Sequence, residues 1–307
     1  MGTPSRLPDL VSIRSSRLMD LLASLRPAQW TKNVLVLAPL IFALRATNPS
    51  SVARALLVLF AFCAIASASY LANDVADRER DRRHPVKRYR PIASGAVTPG
   101  AAVGTAIALV AIGFAVSAYL GAAVLACSAS YIVLQGLYTH ILKHHPIVDV
   151  FGIATGFVLR VLAGARAIPV PLSHWLYLCT LLLALFLALE KRRAELSLLE
   201  AGAGEHRASL FGYTLSLLDQ FVTIISACTV LAYALYTVAP ETIEKFGGDR
   251  LKFTIPFVLF GLFRYLYLVR LRGEGGHPER VLLRDRGLQL DIAGWLLVVF
   301  WAIYSKH

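Results

Sequence analysis

The chain has 307 residues, of which 57% are hydrophobic and only 16% are charged, and its formal net charge at pH 7 is +12. A soluble domain of this length needs far more polar surface, so the composition excludes one and indicates a protein that lies mostly within a membrane. The sequence also lacks the alternation of apolar and polar residues that is typical of a β-barrel.

The first 29 residues are predicted to form a cytoplasmic N-terminal segment. Residues 1–17 contain Arg6, Arg14 and Arg17 but no apolar core or cleavage site, so no signal peptide is expected. Residues 18–26 have the pattern of a short amphipathic helix that lies on the membrane surface. Residues 30–307 are expected to form a single transmembrane catalytic domain.

Nine apolar runs follow, each near the length of about 20 residues that crosses a bilayer as a helix. The first run is the shortest and is interrupted by Pro39. The nine predicted spans cover residues 30–46, 51–72, 99–118, 121–140, 147–166, 172–190, 214–238, 252–270 and 287–304.

The distribution of basic residues gives this arrangement an orientation. With nine spans, the side that holds the N-terminus carries a roughly threefold excess of Lys and Arg over the other side, which the positive-inside rule places in the cytoplasm. Attraction to anionic lipid explains such a face, and so does a substrate with several phosphate groups. We expect no nucleic-acid partner. Membrane lipids are expected to be partners of the protein.

Three aspartates at spacings of three and four follow the second predicted span, in the polar segment 73–81. At about 100° per residue, Asp74, Asp77 and Asp81 fall within about 60° of arc on one helix and extend about 10 Å along it. Carboxylates so close together repel one another unless a divalent cation lies among them. Magnesium prefers oxygen ligands and binds through one or two carboxylates with water and phosphate, and Asn73 can add an amide oxygen. We therefore predict a magnesium site; a solvated loop of paired Asp and Arg is the alternative.

The basic residues of the same segment are predicted to neutralise phosphate groups that the metal does not hold. Arginine binds phosphate through two parallel hydrogen bonds, whereas lysine acts as a point charge. Pro85 and Pro91 are expected to stop the helix. Anchoring to the anionic leaflet is the alternative for each cation. These cations are Arg83, Lys87, Arg88 and Arg90.

The segment from Asn73 to Asp81 resembles N-D-x-x-D-x-x-x-D, the first aspartate-rich motif of the UbiA superfamily of intramembrane prenyltransferases. The resemblance extends over almost the whole chain. It implies an all-α membrane protein with nine transmembrane helices around a central cavity that opens to the lipid, and an active site on the cytoplasmic side. It also implies that Asp74, Asp77 and Asp81 are catalytic residues that bind magnesium and a pyrophosphate.

Typical members of the superfamily carry a second aspartate-rich motif after the sixth span, and this chain departs from that pattern. The corresponding place reads Glu190-Lys191-Arg192-Arg193-Ala194-Glu195-Leu196. Cations at this place argue against a second bound metal ion. They favour direct contact between the protein and an additional phosphate group of a substrate. The chain is most similar to a phosphoribosyltransferase branch of the superfamily, through stretches at residues 26–33, 73–95, 191–196 and 283–289.

This branch implies transfer of 5-phosphoribose from phosphoribosyl pyrophosphate to a polyprenyl (decaprenyl) phosphate, with magnesium as cofactor. The lipid-linked product is a precursor of arabinose donors for the cell wall, so a bacterial inner membrane is the expected location. The resemblance assigns Lys191 and Arg192 to the 5-phosphate or the pyrophosphate, and Glu195 to substrate binding. Lys32, beside the interfacial Trp30, is assigned to the lipid phosphate.

Three further residues are candidates for substrate binding. Tyr138 and Lys143 follow the fourth span, where the family often has a Tyr and a Lys that face the cavity; an interfacial aromatic and a lysine at the membrane surface are the alternative. Arg160 lies deep in the fifth span, where a charge needs a partner. We predict that it contacts phosphate, with an ion pair to Asp149 or another carboxylate as the alternative.

Two other functions compete with phosphoribose transfer. The first is transfer of a prenyl group from a prenyl pyrophosphate to an aromatic acceptor, and the segment at 190–196 argues against it. The second is a non-enzymatic transporter or lipid-binding protein. Transporters usually place polar residues near the bilayer midplane, whereas the charges of this chain are predicted to gather at one face.

Overall fold

The computed structural model describes residues 17–200, 210, 212–272 and 278–305, and the regular elements of that part of the chain are all helical. The α-helices are α1 (Arg17–Ser24), α2 (Ala38–Phe42), α3 (Pro49–Ala76), α4 (Arg78–Arg83), α5 (Pro91–Ser94), α6 (Pro99–Leu120), α7 (Ala122–His140), α8 (Val148–Ala167), α9 (His174–Glu200), α10 (Leu215–Val238), α11 (Pro240–Phe246), α12 (Ile255–Arg272), α13 (Pro278–Arg284) and α14 (Arg286–Tyr304). The 3₁₀ helices are Pro27–Leu37, Lys87–Tyr89, Leu142–His144 and Arg250–Thr254.

Eight helices in the described part of the chain are long and apolar enough to cross a membrane. They coincide with eight of the nine predicted spans, from 51–72 to 287–304. The protein is therefore a multi-pass membrane protein, although the count of nine spans is not confirmed. The prediction of a short helix near residues 18–26 is confirmed by α1, on which Leu18 and Met19 are exposed. Residues 1–16 of the predicted N-terminal segment lie outside the described residues, and the boundary at residue 29 stays a prediction.

The predicted span 30–46 is not one α-helix. An 11-residue 3₁₀ helix covers Pro27–Leu37, and the α-helix that follows it is only five residues long. Pro39 lies in the first turn of α2, where its missing N–H group is tolerated, so an α-helix starts afresh there instead of continuing. Runs of 3₁₀ helix longer than about four residues are uncommon and often mark strained or functional segments.

The chain divides into two compact units, and the first comprises residues 17–27 and 67–108. Within it, the Ser67 hydroxyl donates to the carbonyl oxygen of Leu25, and Arg82 donates to that of Ala93, both at 3.0 Å. Helix α4 ends before Pro85, as predicted, because a residue before proline disfavours the α conformation. Pro91 does the opposite of what was expected: it occupies the first turn of α5 and starts a helix.

The second unit comprises the described residues 28–66, 109–200, 210, 212–272 and 278–305. Helices α7, α8, α9 and α10 pack in chain order, and α12 packs against both α10 and α14. The largest core in this unit is made of apolar side chains from these helices, such as Phe157, Phe186 and Leu218. Lipid tails are as apolar as these side chains, so the close packing of the helices, and not transfer out of water, is what stabilises this core.

Within this second unit, α8 and the 3₁₀ helix Pro27–Leu37 approach each other closely at Gly164. A Cβ atom there would lie 2.0 Å from the carbonyl oxygen of Val36, so only glycine fits without a backbone shift. The contact fixes the segment that carries Lys32 and Asn33 against α8, which carries Asp149 and Arg160.

Candidate active site

The aspartate segment of the first unit is not one continuous helix. Helix α3 ends at Ala76, Asp77 has φ −89° and ψ 1°, and α4 begins at Arg78. The backbone N–H groups of Asp77 and Asp81 still donate to the carbonyl oxygens four residues earlier, so the turn at Asp77 is a local distortion. Asp74 and Asp81 are buried, whereas Asp77 and Asn73 are half-buried.

Two arginines bind the buried carboxylates. Nη1 of Arg90 lies 3.1 Å from Oδ1 of Asp74 and 2.7 Å from Oδ2 of Asp81, so one nitrogen bridges both aspartates. Nη2 of Arg26 lies 2.5 Å from the same Oδ1 of Asp74. Asp77 is turned away from this pair and accepts a hydrogen bond from Arg80.

The arrangement fits a magnesium ion held by two carboxylates and not by three. Among the described residues, no group of three or more His, Cys, Asp or Glu side chains is placed to hold a metal ion. Asp74 and Asp81 nevertheless converge on a single cationic nitrogen, and magnesium usually takes only one or two carboxylates with phosphate and water. Two hard oxygen donors around one cation are therefore suited to magnesium when a phosphorylated substrate supplies further ligands.

Arg26 was not among the predicted site residues, and its backbone is unusual. It has φ 55° although it is not glycine and precedes Pro27. A proline strongly restricts the residue before it to extended conformations, and strain of this kind persists where the surroundings hold a residue in place. Here the Arg26 guanidinium lies 5.2 Å from the ring centroid of Tyr70 as well as on Asp74.

The predicted phosphate-binding cations of the first unit lie on its surface. Arg83 and Arg88 are exposed, and Lys87 is half-buried in a short 3₁₀ helix. The imidazole Nδ1 of His84 accepts hydrogen bonds from the backbone N–H groups of Val86 and Lys87, which shapes this turn. The loop therefore presents its positive charges to solvent on an ordered backbone.

Arg192, in the second unit, is completely buried. Its Nε lies 2.7 Å from Oδ2 of Asp149, and neither side chain is exposed. The guanidinium also donates to Glu195 and, at 2.8 Å, to the hydroxyl of Tyr138. The neighbouring Lys191 is 37% exposed, with its Nζ 4.0 Å from Glu195. Of these two cations, Lys191 is thus the one that solvent reaches.

Asp149 is held from the other side by Tyr213. The Tyr213 hydroxyl donates to Oδ1 of Asp149 at 3.0 Å and accepts from the backbone N–H of Ile147 at 2.5 Å. Burial raises the pKa of Tyr213 to about 12, so its hydroxyl stays a neutral donor. Ile147 has φ 68°, which is strained for a β-branched residue. Such strain next to a buried ion pair is typical of functional sites.

Arg160, also in the second unit, is buried and binds neutral oxygen atoms. Its nitrogens donate to Oδ1 of Asn33 at 2.7 Å, to the Tyr131 hydroxyl at 2.8 Å and to the carbonyl oxygen of Gly156 at 2.8 Å. Its guanidinium lies 4.7 Å from the centroid of the Tyr131 ring. The alternative prediction, an ion pair with Asp149, is wrong because Asp149 pairs with Arg192 instead.

The remaining candidates are only partly buried. Lys32, one residue before Asn33, donates to the side-chain oxygen of Gln29. Lys143 lies in the 3₁₀ helix Leu142–His144, and Tyr138 lies near the end of α7. Their substrate contacts stay predictions.

Known proteins resemble this chain over most of its length. The profile of the UbiA prenyltransferase family matches residues 34–280. The decaprenyl-phosphate phosphoribosyltransferase of Corynebacterium glutamicum is 37% identical over 289 residues, which cover 92% of this chain and 86% of that protein. The enzyme of the same name from Mycolicibacterium smegmatis is 35% identical over 293 residues, which cover 92% of each chain.

Solved structures show the same fold at lower identity. A UbiA homologue from Archaeoglobus fulgidus, determined with GPP and Mg²⁺ bound, superposes with a TM-score of 0.69 at 21% identity, over 92% of this chain and 99% of that one. A structure of digeranylgeranylglyceryl phosphate synthase gives a TM-score of 0.64 at 18% identity, over 94% and 99%. These two structures bear on the fold alone.

Proposed function

Because this chain belongs to the UbiA prenyltransferase family, we propose that it transfers 5-phosphoribose from phosphoribosyl pyrophosphate to a polyprenyl phosphate. The observation that carries the proposal is the likeness to proteins named decaprenyl-phosphate phosphoribosyltransferase, at 35–37% identity over 92% of the chain. The basic segment at 190–196 agrees with it, since a second carboxylate motif is missing from that place.

Asp74 and Asp81 are the proposed metal ligands. Asn73 and Asp77 are the other residues of the segment whose side-chain oxygen atoms could donate to a metal ion. Both aspartates already converge on one cation, Arg90. When bound, magnesium would neutralise the negative charge that develops on the departing pyrophosphate. The Archaeoglobus fulgidus UbiA homologue has been solved with Mg²⁺ and with Cd²⁺, and by analogy we propose a divalent ion here.

The exposed cations are the proposed phosphate ligands. Arg83 and Arg88 are exposed and Lys87 is half-buried, so a phosphate can reach all three from solvent. For the segment at 190–196, we assign phosphate contact to Lys191. The buried Arg192 orients the Glu195 carboxylate, which is assigned to the substrate.

The chemistry needs positioning more than proton transfer. The bond between C1 of the ribose and the pyrophosphate oxygen breaks, and its electron pair leaves with the pyrophosphate. An oxygen of the polyprenyl phosphate forms the new bond to C1; it is already anionic, so no general base has to remove a proton. Orientation and electrostatic stabilisation are then the main contributions of the protein.

The acceptor phosphate is assigned to Lys32 and Lys143, and Tyr138 and Arg160 are assigned to positioning. Arg160 holds Asn33 next to Lys32, and Tyr138 accepts a hydrogen bond from Arg192. The reaction is proposed to take place on the cytoplasmic side of a bacterial inner membrane. Its lipid-linked product would supply arabinose donors for the cell wall.

The test is turnover by the purified protein in lipid nanodiscs. With magnesium, phosphoribosyl pyrophosphate and decaprenyl phosphate, we expect release of pyrophosphate and formation of an acid-labile phosphoribosyl lipid. Both should stop in excess chelator. Inactivity with this pair, together with activity on a prenyl pyrophosphate and an aromatic acid, would replace the proposal with prenyl transfer.

A further inference from the structure

Arg90 occupies the position that a metal ion between Asp74 and Asp81 would need. Its Nη1 contacts a carboxylate oxygen of each aspartate, and Arg26 contacts the same oxygen of Asp74. A metal ion and Arg90 therefore compete for the same oxygen atoms.

The charges of these four residues balance. Two carboxylates and two guanidinium groups carry no net charge together, and the aspartates are only 6% and 3% exposed, against 31% for each arginine. A divalent cation alone would add two positive charges beside the guanidinium groups, in a partly buried place where repulsion is poorly screened. A cation that arrives with a diphosphate brings compensating negative charge.

A diphosphate also gives the displaced arginine a new partner. Guanidinium groups bind phosphate through two parallel, charge-assisted hydrogen bonds. The backbone of Arg90 is fixed, because it precedes Pro91 and its carbonyl oxygen accepts from Ser94 N–H at 2.8 Å. Its long side chain can therefore swing by rotation about its own bonds while the loop stays in place.

Arg26 and Arg90 differ in how freely their side chains can move. Arg26 is held by its strained backbone, by the ring of Tyr70 and by Asp74, and it makes no bridge between the two carboxylates. Arg90 is the bridge, so a metal ion that binds both aspartates has to displace Arg90.

We propose that Arg90 is a resident counter-ion of Asp74 and Asp81 that is exchanged for the metal ion only when a diphosphate arrives with it. The inference deepens the proposed function and rests on it in taking a diphosphate as the ligand. It has one direct consequence: the metal ion binds weakly alone and tightly together with a diphosphate, so the site is loaded by the metal–diphosphate complex.

The experiment is equilibrium dialysis of the purified full chain against Mn²⁺, with and without inorganic pyrophosphate. For the wild type, we expect pyrophosphate to raise the Mn²⁺ affinity by at least about tenfold, or about 1.4 kcal/mol. For Arg90→Gln, we expect Mn²⁺ alone to bind about tenfold more tightly than to the wild type, and most of the enhancement by pyrophosphate to disappear.

Arg82→Gln is the matched control. It removes the same charge from the same segment, but Arg82 pairs with Glu79 at 3.0 Å and not with Asp74 or Asp81. Its Mn²⁺ binding should follow the wild type. If Arg90→Gln binds Mn²⁺ alone no better than this control, the exchange is disproved. The exchange is equally disproved if pyrophosphate leaves the Mn²⁺ affinity of the wild type unchanged.

The dialysis uses neither phosphoribosyl pyrophosphate nor a polyprenyl phosphate, so the two proposals can fail separately. A protein that shows the exchange but forms no phosphoribosyl lipid loses the proposed function and keeps the exchange. A protein that forms the lipid while Mn²⁺ binds equally well without pyrophosphate loses only the exchange.

Discussion

A methyl group at Gly164 is expected to push the segment that carries Lys32 and Asn33 away from α8. The added Cβ would lie 2.0 Å from the carbonyl oxygen of Val36. An unstrained contact between carbon and oxygen needs about 3.4 Å, so this backbone has to move by about 1.4 Å. Arg160 lies one turn before Gly164, and its 2.7 Å bond to Asn33 would then exceed hydrogen-bonding distance.

Gly164→Ala is therefore expected to lower the free energy of unfolding by about 2.5–6 kcal/mol. Overpacking contributes about 1–3 kcal/mol, and the lost hydrogen bond to a buried charge about 1.5–3 kcal/mol. The unfolding midpoint in detergent measures this loss, and the turnover of the remaining folded protein measures the displacement of Lys32.

Gly136→Ala is the control for this experiment. It adds the same methyl group to a membrane-spanning helix, α7, at a place with no heavy atom within 4 Å. Its stability should be unchanged or slightly higher, because alanine favours the helix over glycine. If the two variants unfold at the same midpoint, the close approach of α8 to Val36 does not hold the segment, and the reasoning is refuted.

Two further predictions concern the aspartate segment and Tyr213. Asp81→Asn is expected to lower turnover by about 100-fold or more, and Asp77→Asn is expected to lower it by less. The reason is that Asp81 converges with Asp74, whereas Asp77 is turned to Arg80. Equal losses of turnover in a metal-dependent assay would contradict the two-carboxylate site. Burial raises the pKa of Tyr213 from 10.0 to about 12, so the stability due to its neutral hydroxyl is full below pH 10 and is lost as the pH rises towards 12. The difference in unfolding midpoint between wild type and Tyr213→Phe should shrink across that window, and a constant difference would argue against it.

The membrane helices were predictable because their signal is local. A run of about 20 apolar residues has few alternatives to a membrane helix, and α3 and α6 to α10 start or end within a few residues of the predicted limits. Residues 30–46 misled the prediction, because hydropathy does not distinguish a 3₁₀ helix from an α-helix. The two prolines, Pro27 and Pro39, were the only signals of a different path.

The acidic cluster was predictable in part. The spacing of Asp74 and Asp81 predicted that they come together, and they do, at Arg90. The third carboxylate, Asp77, pairs with Arg80 instead and does not join the bridge at Arg90. Arg26 could not have been found by spacing, because it reaches Asp74 across 48 positions of sequence.

Burial separates the cations that shape the fold from those that can recognise a phosphate. A buried charge in a membrane protein must be neutralised or hydrogen-bonded as soon as the chain folds, whether or not a substrate is bound. Arg192 and Arg160 meet that requirement with side chains of their own unit, so a substrate phosphate would have to displace partners that the fold needs. Exposed cations such as Arg83 and Lys191 remain accessible from solvent, so a phosphate can reach them. For this reason a basic motif read from sequence overestimates the number of phosphate ligands, and the exposed members are the ones to which substrate binding should first be assigned.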